Sequence, residues 1–200
     1  MTEGRQRESH VLVVCTGNIC RSPLLERILQ SALDDRWGSG AVSVRSAGTM
    51  GLQGSAMDER ARAQLGLFGG DGAGFVARRL TPAMVAGADL VLTATREHRA
   101  LVAQAHPRAL RYAFTYRDFA DLSAHLEETD LPTAADGPTW VRDITATVAA
   151  CRGRRATLPL ADARSLRFFG KVENLFDREN YESGFRTPGR TARVGAAFNF

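Results

Sequence analysis

Residues Val11–Leu29 read VLVVCTGNICRSPLLERIL, and the rest of the chain is arranged around them. Four apolar residues (Val11, Leu12, Val13, Val14) run into Cys15 without a polar interruption, as in a strand covered on both faces. A short turn leads to Arg21, with Gly17 and Asn18 where the backbone needs permissive φ. Ser22-Pro23 then starts a helical pattern. A strand, a small-residue loop and a helix start make an anion cradle. The N–H groups of residues 16 to 21 can turn inward, and the helix dipole adds positive potential at the same point.

Outward from this stretch, strands and helices alternate. The spacing of Leu24, Leu25, Ile28, Leu29, Ala32 and Leu33 predicts a helix from Pro23 to Asp34. Residues 41–45 read as the second strand, 57–65 as a short helix stopped by Gly66, and Thr81-Pro82 as the cap and first residue of another, running to Val85. Residues 88–93 are near-continuously apolar, as a central parallel strand should be, and 96–105 form the next helix, stopped by Pro107. A fourth strand over 109–115, a helix over 118–127, a loop over 129–138 and a last helix over 140–151 complete the pattern. Such alternation implies an α/β fold with a four-stranded parallel sheet, and ligands bind such sheets at the carboxyl ends of the strands.

Composition limits the choice of partners. Two hundred residues, 44% of them hydrophobic, can bury one core of ordinary size. A net charge of +4 without an aromatic-interleaved basic stripe suits a small acidic ligand and argues against nucleic acid. Lys171 is the only lysine among 26 basic residues, so an arginine six places after a cysteine means little outside its strand-loop-helix setting. The first ten residues lack the apolar core of a secretory signal, and no run of 18 apolar residues occurs. With three cysteines, two of them in the loop, the expectation is reduced thiols in the cytoplasm. His10, His98, His106 and His125 show no metal-ligand spacing and read as ordinary surface or core histidines; no metal and no cofactor is expected.

The run C-T-G-N-I-C-R-S-P resembles the signature of the low-molecular-weight protein tyrosine phosphatases, and S-A-G-T at 46–49 is a second point of resemblance. The resemblance extends over about residues 9–163 and implies a flavodoxin-like, three-layer fold. It implies metal-free hydrolysis of a phosphomonoester through a phosphocysteine on Cys15. Arg21 would hold two phosphoryl oxygens with its planar fork, for which a lysine would be a poorer substitute. Thr16, Gly17, Asn18, Ile19, Cys20 and Arg21 would cradle the phosphate. Ser22 would hydrogen-bond Cys15, and Ser46 would support the loop through Asn18. A thiolate is the reactive form, and a helix N-terminus beside an arginine favours it. Cys20 lies near enough to Cys15 for a reversible disulfide, and it reads equally well as a packing thiol. Ile19 offers an apolar wall suited to a phosphorylated protein or a small aryl phosphate. Cys151 reads as packing only.

The resemblance breaks off where the proton donor belongs. The family carries its general-acid aspartate in an Asp-Pro loop, and this chain contains no Asp-Pro dipeptide. Asp162 is nearest in sequence to that place and Asp177 is a remoter candidate, so the acid is left unassigned. Six of the ten phenylalanines fall in residues 165–200. The run F-F-G-K-V-E-N-L-F-D-R-E-N-Y and the alternation of Ala192, Val194, Ala196, Phe198 and Phe200 with polar or small residues resemble the last strands of a TonB-dependent outer-membrane receptor. The chain therefore divides into a phosphatase-like domain, 1–164, and a foreign-looking tail, 165–200, that is hairpin-like or disordered. A soluble hairpin native to the domain is the other reading of the tail. Three further readings compete with hydrolysis. One is a phosphate- or phosphotyrosine-binding protein without turnover. Another is a thioredoxin-coupled arsenate reductase, which needs relay cysteines where none lies between Cys20 and Cys151. The last is a membrane-barrel fragment, against which the preceding 160-odd residues argue.

Overall fold

The computed structural model describes residues 9–124 and 126–153. Four strands, β1 (Ser9–Cys15), β2 (Val42–Gly48), β3 (Leu90–Thr93) and β4 (Ala113–Thr115), form one sheet in the order β2-β1-β3-β4, and every pairing is parallel. The helices are α1 (Arg21–Trp37), α2 (Glu59–Gly66), α3 (Pro82–Ala86), α4 (Arg96–Ala105), α5 (Tyr116–Ser123) and α6 (Gly137–Ala150). This is the expected α/β architecture.

From Val11 to Cys15 β1 is apolar because it is covered on both sides. Val11 and Val13 pack with Leu25 of α1, Phe119 of α5 and Ile144 and Val148 of α6. Leu12 and Val14 point the other way, against Val85 of α3 and Val102 of α4. Val13 and Val14 are fully buried, each contributing roughly 1.5–3 kcal/mol by leaving water. The sheet is thus the middle of three layers. A smaller cluster joins α2 to α1 through Leu24, Ile28, Ala61 and Leu65. Because α1 packs on one face and α4 on the other, the loops leaving β1 and β3 diverge and open a crevice at the carboxyl end of the sheet.

Several boundaries differ from the sequence reading, each for a local reason. β2 continues to Gly48, so Ser46 and Ala47 lie within the strand. Residues 107–111 form a 3-10 turn in place of the start of β4, since Pro107 has no N–H for a ladder and its φ suits a helical turn. α2 starts after Asp58, whose carboxylate accepts from the amides of Arg60 and Ala61. α5 starts at Tyr116, capped by Thr115, and ends at Ser123. α6 starts at Gly137, three residues earlier than Trp140, because Asp136 caps it at Thr139 N and Pro138 occupies its first turn. Asp162, Asp177, the tail at 165–200, the domain boundary at 164 and His125 lie outside the described residues.

Candidate active site

The carboxyl end of β1 delivers Cys15, and the loop after it folds back onto the end of β2. Carbonyls decide the loop's shape. Those of Cys15, Thr16 and Gly17 accept from the amides of Thr49, Met50 and Leu52 at 2.9, 2.9 and 3.0 Å, and that of Ile19 accepts from Asp58 N at 2.9 Å. With these carbonyls turned to that segment, the amides across the same peptide planes, those of residues 16, 17, 18 and 20, face the opposite side, where no backbone acceptor meets them among the described residues. α1 starts beside them with no side-chain cap at Cys20 and no acid in its first turn. A 17-residue helix thus presents its positive end to an open ring of N–H donors.

Asn18 adopts the left-handed φ of 56°, as expected of it. Gly17 does not: its φ is not positive, and a Cβ there would meet only Ile19 Cγ1 at 3.6 Å and Leu52 Cδ1 at 3.8 Å, ordinary contacts. The conformational reason for Gly17 is therefore corrected. The glycine the loop cannot replace is Gly48, where a Cβ would sit 2.3 Å from Thr16 O and 2.9 Å from Asn18 N.

Beneath the loop lies a closed set of buried hydrogen bonds. Asn18 Nδ2 donates to Ser22 Oγ at 3.0 Å and to Ser46 Oγ at 2.7 Å, while Asn18 Oδ1 accepts from Arg78 N at 2.7 Å. Ser22 Oγ is 2.8 Å from Cys15 Sγ. Since Ser22 already accepts from Asn18, its hydroxyl proton is free to point at the sulfur. Ser46 in turn donates to the buried Glu26 carboxylate, which also faces Arg78 Nη2 at 3.3 Å. Burial pushes the Glu26 carboxyl above its ordinary range, against the opposing pull of the Ser46 bond and the Arg78 charge. Ser22 and Ser46 thus contact Cys15 and Asn18 as expected.

The remaining predicted residues line the same loop. Cys15 is buried, Thr16 exposed, and Ile19, Cys20 and Arg21 are half-buried. Arg21 Nη2 donates to Thr16 Oγ1 at 3.4 Å. Cys15, Cys20 and Cys151 are free thiols, and Cys151 packs in the core as read. Burial, then the charges of Asp58 and Cys15, push the Cys20 thiol up, with Arg21 opposing. Met50 and Leu52, whose amides bind the Thr16 and Gly17 carbonyls, have exposed side chains.

Sequence reasoning missed three residues. Glu26 and Arg78 complete the buried network; the signal for Glu26 was a charge inside the apolar stripe of α1, one helical turn beyond Ser22. His98, read as an ordinary surface or core histidine, is buried beside the loop. Its Nε2 lies 2.9 Å from Thr16 Oγ1 and its Nδ1 lies 2.8 Å from Thr95 Oγ1. Thr95-x-x-His98 at a helix start was its only trace in the sequence.

A parallel α/β sheet with a cysteine, an arginine and an amide ring at the end of its first strand defines a phosphate-loop protein of the cysteine-dependent kind. A family model described as low molecular weight phosphotyrosine protein phosphatase matches residues 10–150, and the chain belongs to that family. It is 40% identical over 97 residues to the low molecular weight protein-tyrosine-phosphatase Etp of Escherichia coli, covering 48% of this chain and 62% of that one. To low molecular weight protein-tyrosine phosphatase A of Mycobacterium tuberculosis it is 40% identical over 103 residues, covering 51% and 62%. These matches span less than two thirds of either relative's length. The crystal structure of a low molecular weight protein tyrosine phosphatase from T. tengcongensis superposes with a TM-score of 0.51 at 27% identity, covering 74% of this chain and 98% of that one.

Proposed function

We propose that this protein hydrolyses phosphomonoesters without a metal, through a covalent phosphocysteine. The carrying observation is Cys15 Sγ, 2.8 Å from Ser22 Oγ, at the base of a ring of free amides with Arg21 at its edge. In the first step the Cys15 thiolate attacks phosphorus, an S–P bond forms and the P–O bond to the leaving group breaks. In the second, water attacks phosphorus, the S–P bond breaks, and phosphate and the thiolate are released. The amides of residues 16–21 hold the equatorial oxygens, Arg21 clamps two of them, and the Ser22 hydroxyl donates to the sulfur as it departs. The apolar rim of Ile19, Met50 and Leu52 favours an aryl leaving group, hence a phosphorylated protein or a small aryl phosphate. The free thiols fit the cytoplasm. Cys20, five residues from Cys15, would either trap an oxidised Cys15 as a disulfide or serve as a packing thiol.

The leaving oxygen needs a proton, and a positioned acid typically contributes 10²–10⁴-fold. Asp162 is a candidate donor only by its nearness in sequence, and the acid stays unassigned. The missing Asp-Pro dipeptide favours a second reading: the cradle binds phosphate or phosphotyrosine and turns it over poorly. We read residues 165–200 as foreign to this domain, on the receptor-like motifs quoted above, so truncation after Arg164 should leave the melting temperature and phosphate affinity unchanged; a large loss of either would make the tail part of the fold.

Vanadate-sensitive hydrolysis by the wild type and by Cys15→Ser tests the first reading. Turnover surviving Cys15→Ser would overturn it, and vanadate binding without turnover in the wild type would establish the second. Comparing p-nitrophenyl phosphate with phosphotyrosine tests the acid. A deficit confined to phosphotyrosine, the poorer leaving group, means the acid is lost; equal and fast turnover means it is present.

A further inference from the structure

His98 has no part in the scheme above, yet it joins the two sides of the crevice. It projects from the first turn of α4, the helix after β3, and reaches the loop after β1. We propose that His98 is a positioning residue for the phosphate clamp: as a neutral imidazole protonated on Nδ1, it accepts the Thr16 hydroxyl proton on Nε2 and so fixes Thr16 Oγ1 as an acceptor for Arg21. The kinetic consequences rest on the phosphatase reading; the geometry does not.

The tautomer follows from counting protons. Thr95 Oγ1 caps α4 by accepting from His98 N at 3.4 Å, and the Glu97 carboxylate, whose pKa the Thr95 hydroxyl holds down, competes for the hydroxyl proton. A carboxylate can only accept, so with the Thr95 proton drawn to Glu97 we assign the donor role in the 2.8 Å contact to His98 Nδ1. The neutral ring then carries its lone pair on Nε2, 2.9 Å from Thr16 Oγ1. The Thr16 hydroxyl must donate there, which leaves its lone pairs facing Arg21 Nη2 at 3.4 Å. Proton direction therefore runs from Arg21 to Thr16 to His98, and from His98 to Thr95 to Glu97.

The neutral form is the one this setting favours. His98 is 7% exposed, and burial first, then the Arg21 charge, hold its pKa below the ordinary histidine value, with Glu97 opposing. Arg21 from the β1 side and Glu97 from α4 itself are the charged groups that act on the ring. Protonation would turn Nε2 into a donor, reverse the Thr16 hydroxyl and set a second positive charge beside Arg21.

Long-range ¹H–¹⁵N spectra of the histidine rings test the tautomer directly, without reference to activity. His98 protonated on Nδ1 alone at pH 7.5 is expected; a proton on Nε2 overturns the proposal. In kinetics with p-nitrophenyl phosphate, His98→Ala should lower kcat about fivefold to tenfold, the worth of one neutral hydrogen bond, with KM changed less than about twofold. His98→Gln, which can place an acceptor near the Nε2 position, should stay within about twofold of the wild type at pH 7.5. Thr16→Val should lose as much as His98→Ala, and the double variant no more than either alone. Full additivity, or kcat and calorimetric vanadate affinity both unchanged in His98→Ala, would overturn the proposal. Should His98→Ala not fold, the tautomer and His98→Gln decide the matter. Turnover surviving Cys15→Ser would defeat the phosphatase reading alone, because the tautomer and vanadate affinity would still judge His98.

Discussion

Asn18 combines a backbone and a side-chain requirement that no other residue meets equally well. Its φ of 56° suits glycine, while its amide makes three hydrogen bonds, buried ones to Ser22 and Ser46 and a half-buried one with Arg78 N. Asn18→Gly should lose the bonds and keep the backbone, destabilising by about 2–3 kcal/mol. Asn18→Ala should cost about 1–2 kcal/mol more, from the left-handed conformation. Urea unfolding of the two variants separates the contributions. His98 supplies a pH prediction at the same scale. The unfolded chain takes up a proton near the ordinary histidine pKa of about 6.5, whereas the folded chain does so only at a lower pH. Stability should therefore fall as pH drops from about 7 through the depressed folded value, and this contribution should be flat above pH 7. Urea unfolding across that range, with His98→Gln showing a shallower slope, checks the sign. The motif alone did not reveal the contacts of Asn18 with Arg78 or of His98 with Thr16. Asn18 could be assigned its φ because turn chemistry is local, but Thr16, the partner of His98 in the loop, lies 82 residues away along the chain.

At the level of elements, the phosphate loop depends on the end of β2 as much as on β1. Gly48→Ala would drive a Cβ to 2.3 Å from the Thr16 carbonyl, and a backbone atom cannot yield as a side-chain tip can. Displacement of the loop follows, with loss of turnover beyond about a hundredfold, since small misplacements of reacting groups carry penalties of that order. Circular dichroism and vanadate affinity distinguish a displaced loop from an unfolded chain. Thr95→Ala, which removes the cap of α4, should destabilise by about 1 kcal/mol in urea unfolding. Elements whose ends carry local signals were read closely: α4 matches the sequence reading from Arg96 to Ala105, and α3 follows its Thr81-Pro82 cap. The start of β4 was misread because an apolar run serves a 3-10 turn as readily as a strand, and only pairing with β3 distinguishes them.

For the molecule as a whole, ligand binding should register as global stability, because the cradle draws on β1, α1, the segment after β2 and α4 together. Phosphate at a hundred times its dissociation constant should add about 2.7 kcal/mol, raising the melting temperature. Arg21→Lys should lose much of that gain by replacing a planar fork with a point charge. Calorimetric scans with and without phosphate measure both.

The sequence by itself determined the layer order and the cradle, since both follow from contiguous residues: four apolar residues in β1, a turn that tolerates left-handed φ, and a helix start. Its arginine and cysteine are six positions apart and needed no tertiary context to be paired. Ser46 was legible through the S-A-G-T resemblance, but tertiary structure alone brought in Arg78 and His98. Ser46, Arg78 and His98 come from segments far apart in the chain, and a buried polar group shows its worth only when the partner that satisfies it is known.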